Sequence, residues 1–198
     1  MEKRTRNLNF LFSLSIFPED LKTQVGIFSF YFPKIKVPQK IPPLSAFALV
    51  RWQSVGRSYQ SALKKVIQIL KGGFKVHLEI DLEKIERKEE LLKQDKDIFW
   101  GKMRFFGNLS PHTMKKIKKK GCFLGVFEVI CLILTHLGKL PRSVGFNCIG
   151  DRCRPSYYQK RKHLIYHPFV YLDEDDLWIG CEWEGAIKID HLTPIFDF

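Results

Sequence analysis

The residues from Cys122 to Leu134 form the most hydrophobic stretch of the chain, and they restrict what it can fold into. Gly121 directly precedes this run and Gly138 follows Leu137, and glycine favours breaks in regular structure. The run holds about 13 residues against the roughly 20 that a helix needs to cross a bilayer, and it contains Glu128. We therefore predict a buried core element, helical by its length, from Cys122 to Leu137.

Charge is distributed very unevenly along the chain. The 198 residues include 33 basic and 21 acidic side chains, a net charge of +12. Residues 171–198 hold eight acids and one base, a net charge of −7, whereas residues 1–170 hold 32 bases and 13 acids, a net charge of +19. Such an excess favours phosphate-bearing or anionic-membrane partners over ordinary small metabolites. The hydrophobic content of 45% indicates a globular chain rather than a disordered one.

The first 45 residues are rich in proline, at Pro18, Pro33, Pro38, Pro42 and Pro43. Prolines at this density remove backbone donors and favour extended conformers. We therefore predict an N-terminal arm or linker over residues 1–45 and a single core domain over residues 46–198. The basic residues that precede an early apolar run resemble a signal peptide, but no small-residue cleavage site follows. We expect a structural or surface-contact segment instead.

Hydrophobic spacing predicts the elements that follow. Leu63, Val66, Ile67 and Leu70 recur at helical spacing after Ser58, and Gly72-Gly73 favours a stop. Residues 74–81 alternate strictly between apolar and polar side chains, which predicts a strand with His77 on its polar face. We expect a solvent-exposed helix over residues 82–97 and a strand over residues 98–106.

The last third of the chain is β-rich by composition. We predict antiparallel strands over residues 163–172 and 177–189 around the acidic turn Asp173-Glu174-Asp175-Asp176, and a loop over residues 142–162. Helical and strand segments that are segregated along a chain are typical of an α+β fold. The predicted architecture is an antiparallel sheet packed by a few helices, with a Pro-rich N-terminal arm.

Two basic clusters are candidate sites for nucleic acid or anionic lipid. Five ammonium groups within two helical turns repel one another unless a polyanion offsets the repulsion, and arginine with tyrosine can hold phosphate and stack on unpaired bases. The first cluster comprises Lys115, Lys116, Lys118, Lys119 and Lys120; the second comprises Arg152, Arg154, Tyr157, Tyr158, Lys160, Arg161 and Lys162. A solvated surface is the alternative for both. No RRM, KH or helix-turn-helix signature is present, so binding should tolerate many sequences.

The five cysteines are odd in number and lack dense short spacing, which argues against a disulfide framework and fits a reducing compartment. Cys148, Cys153, His163 and His167 do include two cysteine and two histidine ligand types for zinc. The nine-residue interval between the pairs is shorter than usual, and on a strand the two histidines would lie about 13 Å apart. We expect no metal or other cofactor, and the zinc question stays open at this point.

Catalytic patterns are weak. The acidic stretch from Asp173 to Asp176, with Glu182 and Glu184, resembles a metal-dependent nuclease site, but its first four acids are consecutive and the expected nearby lysine is missing. No glycine-rich phosphate loop is present either. We therefore expect a protein that is not an enzyme.

Two stretches, Phe123–Leu134 and Tyr166–Gly180, resemble the matrix proteins of rhabdoviruses, particularly the lyssavirus type. In that family a glycine-containing apolar helix precedes an aromatic strand, an acidic turn and an aromatic-aliphatic-Gly strand. Length and basic balance also agree. The chain departs from the family at Pro42-Pro43-Leu44-Ser45, which lacks the tyrosine of the family's Pro-Pro-x-Tyr budding peptide.

The resemblance implies a viral structural protein that self-associates and bridges a nucleocapsid or RNA and an anionic membrane surface. The acidic turn, Asp173 to Asp176, would then contact a basic patch on a neighbouring copy, since unlike patches propagate a head-to-tail contact. Host factors are further expected partners. The expected location is the virion and the host cytoplasm, peripheral to membrane, with the nucleus as a second location. The alternative is a soluble RNA-binding accessory factor, a silencing or immune suppressor, with or without zinc.

Overall fold

The computed structural model describes residues 18–43, 46–88, 96–107, 122–141, 143–154, 166–183 and 191–197. Four α-helices lie in these ranges: α1 (Leu21–Tyr31), α2 (Trp52–Val55), α3 (Tyr59–Leu70) and α4 (Val126–His136). Short 3-10 turns occupy Leu82–Lys84 and Leu137–Lys139. The strands are β1 (Phe47–Val50), β2 (Lys75–Leu78), β3 (Ile85–Arg87), β4 (Ile98–Gly107), β5 (Cys122–Phe123), β6 (Ser143–Asn147), β7 (Asp151–Cys153), β8 (Tyr166–Asp173), β9 (Asp176–Trp183) and β10 (Leu192–Asp197).

The strands join in one large sheet with the order β1-β4-β10-β6-β8-β7-β3, while β2 pairs with β9 and β5 pairs with β10. Most neighbours are antiparallel, but β2 runs parallel to β9 and β6 runs parallel to β10. The predicted α+β class is confirmed. The sheet is mixed rather than purely antiparallel, because the β2–β9 and β6–β10 pairs are parallel.

Helix α3 begins and ends where the sequence predicts. The Ser58 hydroxyl caps it by accepting a hydrogen bond from Ser61 N at 3.1 Å. Leu63, Val66, Ile67 and Leu70 are buried on its inner face. Helix α4 is the predicted core element, and its residues from Val126 to Ile133 are all buried. None of the helices in the described part of the chain has the length and hydrophobicity to cross a membrane.

The core begins earlier than the predicted boundary at residue 46. Leu21, Val25 and Phe28 of α1 belong to the same buried cluster as α3 and α4. The buried Gln24 side chain also ties α1 to β1, because it donates to Ala46 O at 2.8 Å and accepts from Ala48 N at 2.7 Å. Residues that precede the predicted boundary at residue 46 thus contribute to the core. The Pro-rich residues 34–43 contain no helix or strand.

The hairpin at the end of the chain is confirmed. β8 and β9 pair antiparallel from Tyr166↔Trp183 to Asp173↔Asp176, so that Glu174 and Asp175 form a two-residue turn. Glu174 has a φ of 51°, in the left-handed region that two-residue hairpin turns use. The acidic residues therefore lie at one end of the hairpin.

Two local predictions are wrong, and a third is confirmed only over part of its range. The predicted helix over residues 82–97 is instead a 3-10 turn followed by β3, with residues 89–95 outside the described ranges. The predicted loop over residues 142–162 contains β6 and β7. The alternating segment forms only the short strand β2, and Leu78 on its supposed inner side is 43% exposed. In each case pairing with distant strands decided the outcome, and local composition does not report such pairing.

Candidate functional site

Much of the predicted basic surface lies outside the described residues. Lys115, Lys116, Lys118, Lys119 and Lys120 fall there, as do Tyr157, Tyr158, Lys160, Arg161 and Lys162. Arg152 lies on β7, and Arg154 directly follows that strand. The exposed Arg154 guanidinium pairs with Glu86 Oε2 at 3.1 Å. Both described arginines of this cluster thus lie at the β3–β7 edge of the sheet.

The four acids predicted for self-association lie together at the β8–β9 turn, but they differ in their surroundings. Asp173 accepts a hydrogen bond from the Ser143 hydroxyl on β6. Asp176 lies 2.6 Å from His77 Nε2 and 3.9 Å from Lys75 Nζ on β2. Glu174 and Asp175 are exposed at the tip. Two carboxylates therefore fix the turn to its neighbouring strands, and two face solvent.

A second surface, which sequence reasoning missed, lies at the end of α1. Phe30 is 78% exposed, and its ring packs edge-on against Tyr31 at 5.0 Å. Val37 is also exposed, and the lysines Lys34 and Lys36 stand between it and the helix. We call this surface, with Lys65 of α3, the aromatic–lysine face.

A groove of about 340 Å³ opens beside the Tyr31 ring. Tyr31, Lys34 and Lys65 contribute to its walls, and Val55 and Ile69 give it an apolar lining. The Lys65 ammonium donates to the Val55 carbonyl, which holds its charge at the rim. The groove thus combines apolar walls with positive charge.

Acidic groups near the aromatic–lysine face are either distant or already bonded. Glu19 and Asp20 lie at the opposite end of α1, about 15 Å from Phe30 by helical rise. The half-buried Asp97 carboxylate accepts hydrogen bonds from Lys36 N and from Ser54 Oγ, each at 2.6 Å. Lysine charge therefore dominates this surface.

Buried charges gather at the start of α4. Arg87 Nη1 lies 3.0 Å from both Asp151 Oδ1 and Glu128 Oε2. The Tyr59 hydroxyl donates to Asp151 Oδ2, which also accepts from Val126 N at 2.8 Å, while Glu128 Oε2 accepts from Gly125 N at 3.0 Å. We call Tyr59, Arg87, Glu128 and Asp151 the buried quartet.

Burial raises the pKa values of three members of the buried quartet. It raises the pKa of Tyr59, so the phenol stays protonated and donates to Asp151. Burial also raises the pKa of Asp151 and of Glu128, against the opposing effect of Arg87. The Arg87, Glu128 and Asp151 side chains are only 6%, 2% and 0% exposed. Because a solute cannot reach such groups, the arrangement stabilises the fold and offers no reaction site.

The described members of the candidate zinc set have other partners. The Cys148 thiol donates to Phe146 O at 3.8 Å, and His167 Nδ1 lies 3.0 Å from Asp151 O. The Cys153 thiol donates to Cys181. Among the described residues no group of three or more metal-ligating side chains comes together, and His163 lies outside them.

The chain was compared with models of known protein families, with curated proteins and with solved structures, and none of them matches it.

Proposed function

We propose that this protein is a non-enzymatic structural protein of the viral matrix type. It would self-associate and bridge a ribonucleoprotein and an anionic membrane surface, as a peripheral membrane component of the virion and of the host cytoplasm. The observation that carries the proposal is the aromatic–lysine face. The uneven charge of the chain supports it as well, because a body of net charge +19 attracts phosphate.

The composition of the aromatic–lysine face suits a membrane interface. Aromatic rings partition into the boundary between headgroups and acyl chains, and each nearby lysine adds about 1 kcal/mol of attraction to an acidic leaflet. Phe30 can enter this boundary with little rearrangement because it is already largely exposed. Lys34 and Lys65 line the groove beside Tyr31, and Lys36 is exposed two residues beyond Lys34.

Vesicle flotation at physiological salt tests the membrane half of the proposal. We expect the full chain to float with vesicles of phosphatidylserine and phosphatidylcholine, and to remain in solution with phosphatidylcholine alone. Phe30→Ser should weaken binding about tenfold, because burial of a phenylalanine contributes roughly 1.5–3 kcal/mol. Leu137→Ser is the matched control, since Leu137 is 48% exposed and lines a different groove, with Phe74 and Glu174. An equal effect of both variants, or no flotation of the unaltered chain, would contradict the proposal.

A salt series with single-stranded RNA tests the ribonucleoprotein half. Each phosphate neutralised adds roughly 0.7 to the slope of log affinity against log salt for a single strand. Replacing the lysines of the 115–120 run by glutamine should therefore flatten the slope, while Phe30→Ser leaves it unchanged. A chain that binds RNA but never floats with acidic vesicles would instead be a soluble RNA-binding accessory factor.

A further inference from the structure

Four rings lie in a row across the outer face of the sheet. The strand registers place His77 of β2 opposite Trp178 of β9, and Trp178 opposite Tyr171 of β8. The His77 and Trp178 rings stack with centroids 4.8 Å apart and an interplanar angle of 11°, and Tyr171 lies 6.0 Å from Trp178. His191 stacks on Tyr171 at 5.8 Å and occupies the space above Gly145 of β6. We call these four rings the aromatic row.

The aromatic row lies on the side of the sheet that faces away from the helices. Side chains alternate between the two faces of a strand, and Leu172, Leu177 and Ile179 point into the core that α3 and α4 complete. Tyr171 and Trp178 therefore point outward, and both are half-buried rather than covered. One face of each ring is stacked on a histidine, so the part that is open to another molecule is the remaining outward surface of each ring.

Carboxylates surround the row. Asp173 and Asp176 lie two positions beyond Tyr171 and Trp178 toward the turn, where Glu174 and Asp175 are exposed. On the other side of Trp178, the Glu79 carboxylate lies over Gly180. Lys75 contributes positive charge next to Asp176. Negative charge thus exceeds positive charge among the described residues around the row.

The aromatic row and the carboxylates around it together favour a positively charged ligand. The face of an aromatic ring is electronegative and attracts ammonium and guanidinium groups, most strongly at tryptophan. Neighbouring carboxylates add to that attraction and repel phosphate, so the row is unsuited to stacking on RNA bases even though its rings could do so. The ligand chemistry of this face is therefore opposite to that of the aromatic–lysine face.

We propose that the aromatic row binds lysine side chains of the segment Lys115–Lys120 from a second copy of this chain. The inference rests on the self-association in the proposed function and names its partner segment. That segment carries five lysines in six residues, and it belongs to the part of the chain with a net charge of +19. Charge complementarity with the row and the turn makes it the best-matched occupant. Because donor and acceptor surfaces differ, each copy can use both and the contact can propagate.

Fluorescence anisotropy of a labelled peptide of residues 111–121, titrated with the full chain at low salt, tests this inference. We expect saturable binding that is absent when the peptide lysines are replaced by glutamine. Trp178→Leu should weaken binding about fivefold through loss of the cation–π contact, and Trp178→Phe should retain most of it. Trp183→Leu is the matched control, because Trp183 lies on the same strand, is 45% exposed and points to the opposite face. Equal affinity of the unaltered and Trp178→Leu chains would overturn the inference.

The exposed turn gives a second variant that does not disturb the packed rings. Glu174→Gln combined with Asp175→Asn should weaken peptide binding and reduce its dependence on salt. In sedimentation of the full chain, the Glu174→Gln, Asp175→Asn double variant and the Trp178→Leu variant should both show less self-association than the unaltered chain. Their flotation with acidic vesicles should be the same as that of the unaltered chain. Unchanged self-association would overturn the inference and leave membrane binding standing, whereas loss of flotation in the unaltered chain would remove the proposed function. An RNA oligonucleotide that binds the unaltered chain but not Trp178→Leu would also overturn the inference.

Discussion

Arg87 and Asp151, 64 residues apart in sequence, form an ion pair of 3.0 Å in the interior, directly beneath the first turn of α4. Asp151 bonds Val126 N at the same time, and thereby satisfies a backbone donor that the helix itself leaves free. The pair joins β3, β7 and α4. The two carboxylates of the buried quartet, Asp151 and Glu128, differ in the number of donors that they satisfy.

Asp151 should matter more to stability than Glu128. Asp151 accepts from three donors through both oxygens, so Asp151→Asn must leave at least one of them unmet. Breaking a buried ion pair in this way costs about 3–5 kcal/mol. Glu128 uses a single oxygen toward Gly125 N and Arg87, and the amide oxygen of a glutamine can accept from both of these donors. We expect Glu128→Gln to cost less than about 1.5 kcal/mol. Urea unfolding at pH 7 measures both, and equal losses would contradict this assignment.

Gly150 should not tolerate a methyl group, because a Cβ there would overlap Phe123 O and lie 2.8 Å from Leu124 C. Both contacts are with backbone that is paired in the sheet or bonded to its neighbours, so the strain has no easy relief. We expect Gly150→Ala to destabilise the fold by about 2–3 kcal/mol. Gly26 on the exposed side of α1 has no atom within 4 Å of such a Cβ. There the same substitution should stabilise by about 0.5–1 kcal/mol, and thermal unfolding of the two variants should shift in opposite directions.

Elements with a strong local signal could be predicted from the sequence. α3 has an apolar stripe, a serine cap and a Gly-Gly stop, and the β8–β9 hairpin has segments of β-rich composition on both sides of an acidic turn. α1 also has a usable signal, since Leu21, Gln24, Val25 and Phe28 are spaced as on one face of a helix and Asp20 precedes them. The high proline content on both sides of α1 concealed that signal.

The elements and sites that the sequence does not predict depend on contacts between residues that are distant in the chain. β3, β6 and β7 have three to five residues each, and their sheet pairing rather than their composition defines them. The buried quartet and the aromatic row likewise combine residues from different segments, which no spacing pattern connects. The exposure of Phe30 depends on which face of α1 packs on the core, namely the face of Leu21, Val25 and Phe28. The position of the acidic turn, in contrast, is predictable from the sequence because its residues are consecutive.

His136 should make the fold sensitive to acid. Burial lowers its pKa from 6.5 to about 4, and its Nε2 accepts a hydrogen bond from Glu19 N at 3.2 Å. Since the unfolded chain binds this proton near pH 6.5 and the folded chain only near pH 4, stability is present above pH 6.5 and falls as the pH drops toward 4. The loss should be about 2–3 kcal/mol. A glutamine side chain at this position can still accept from Glu19 N without titrating, so His136→Gln should lose less stability over this range. Parallel curves of stability against pH for the two proteins would contradict the assignment.

Cys181 should react faster with an alkylating agent than the buried cysteines Cys131, Cys148 and Cys153. The Cys153 thiol donates to it and lowers its pKa, whereas burial raises the pKa of Cys131, Cys148 and Cys153. The thiolate is the nucleophile, so at pH 7.5 iodoacetamide should modify Cys181 well before the buried thiols, as peptide mass spectrometry would show. Cys153→Ala removes the donor and should slow modification of Cys181, whereas Cys153→Ser keeps a donating hydroxyl and should preserve the rate. If exposure alone governs reactivity, the two variants will react alike, and the hydrogen bond then has no influence on this thiol.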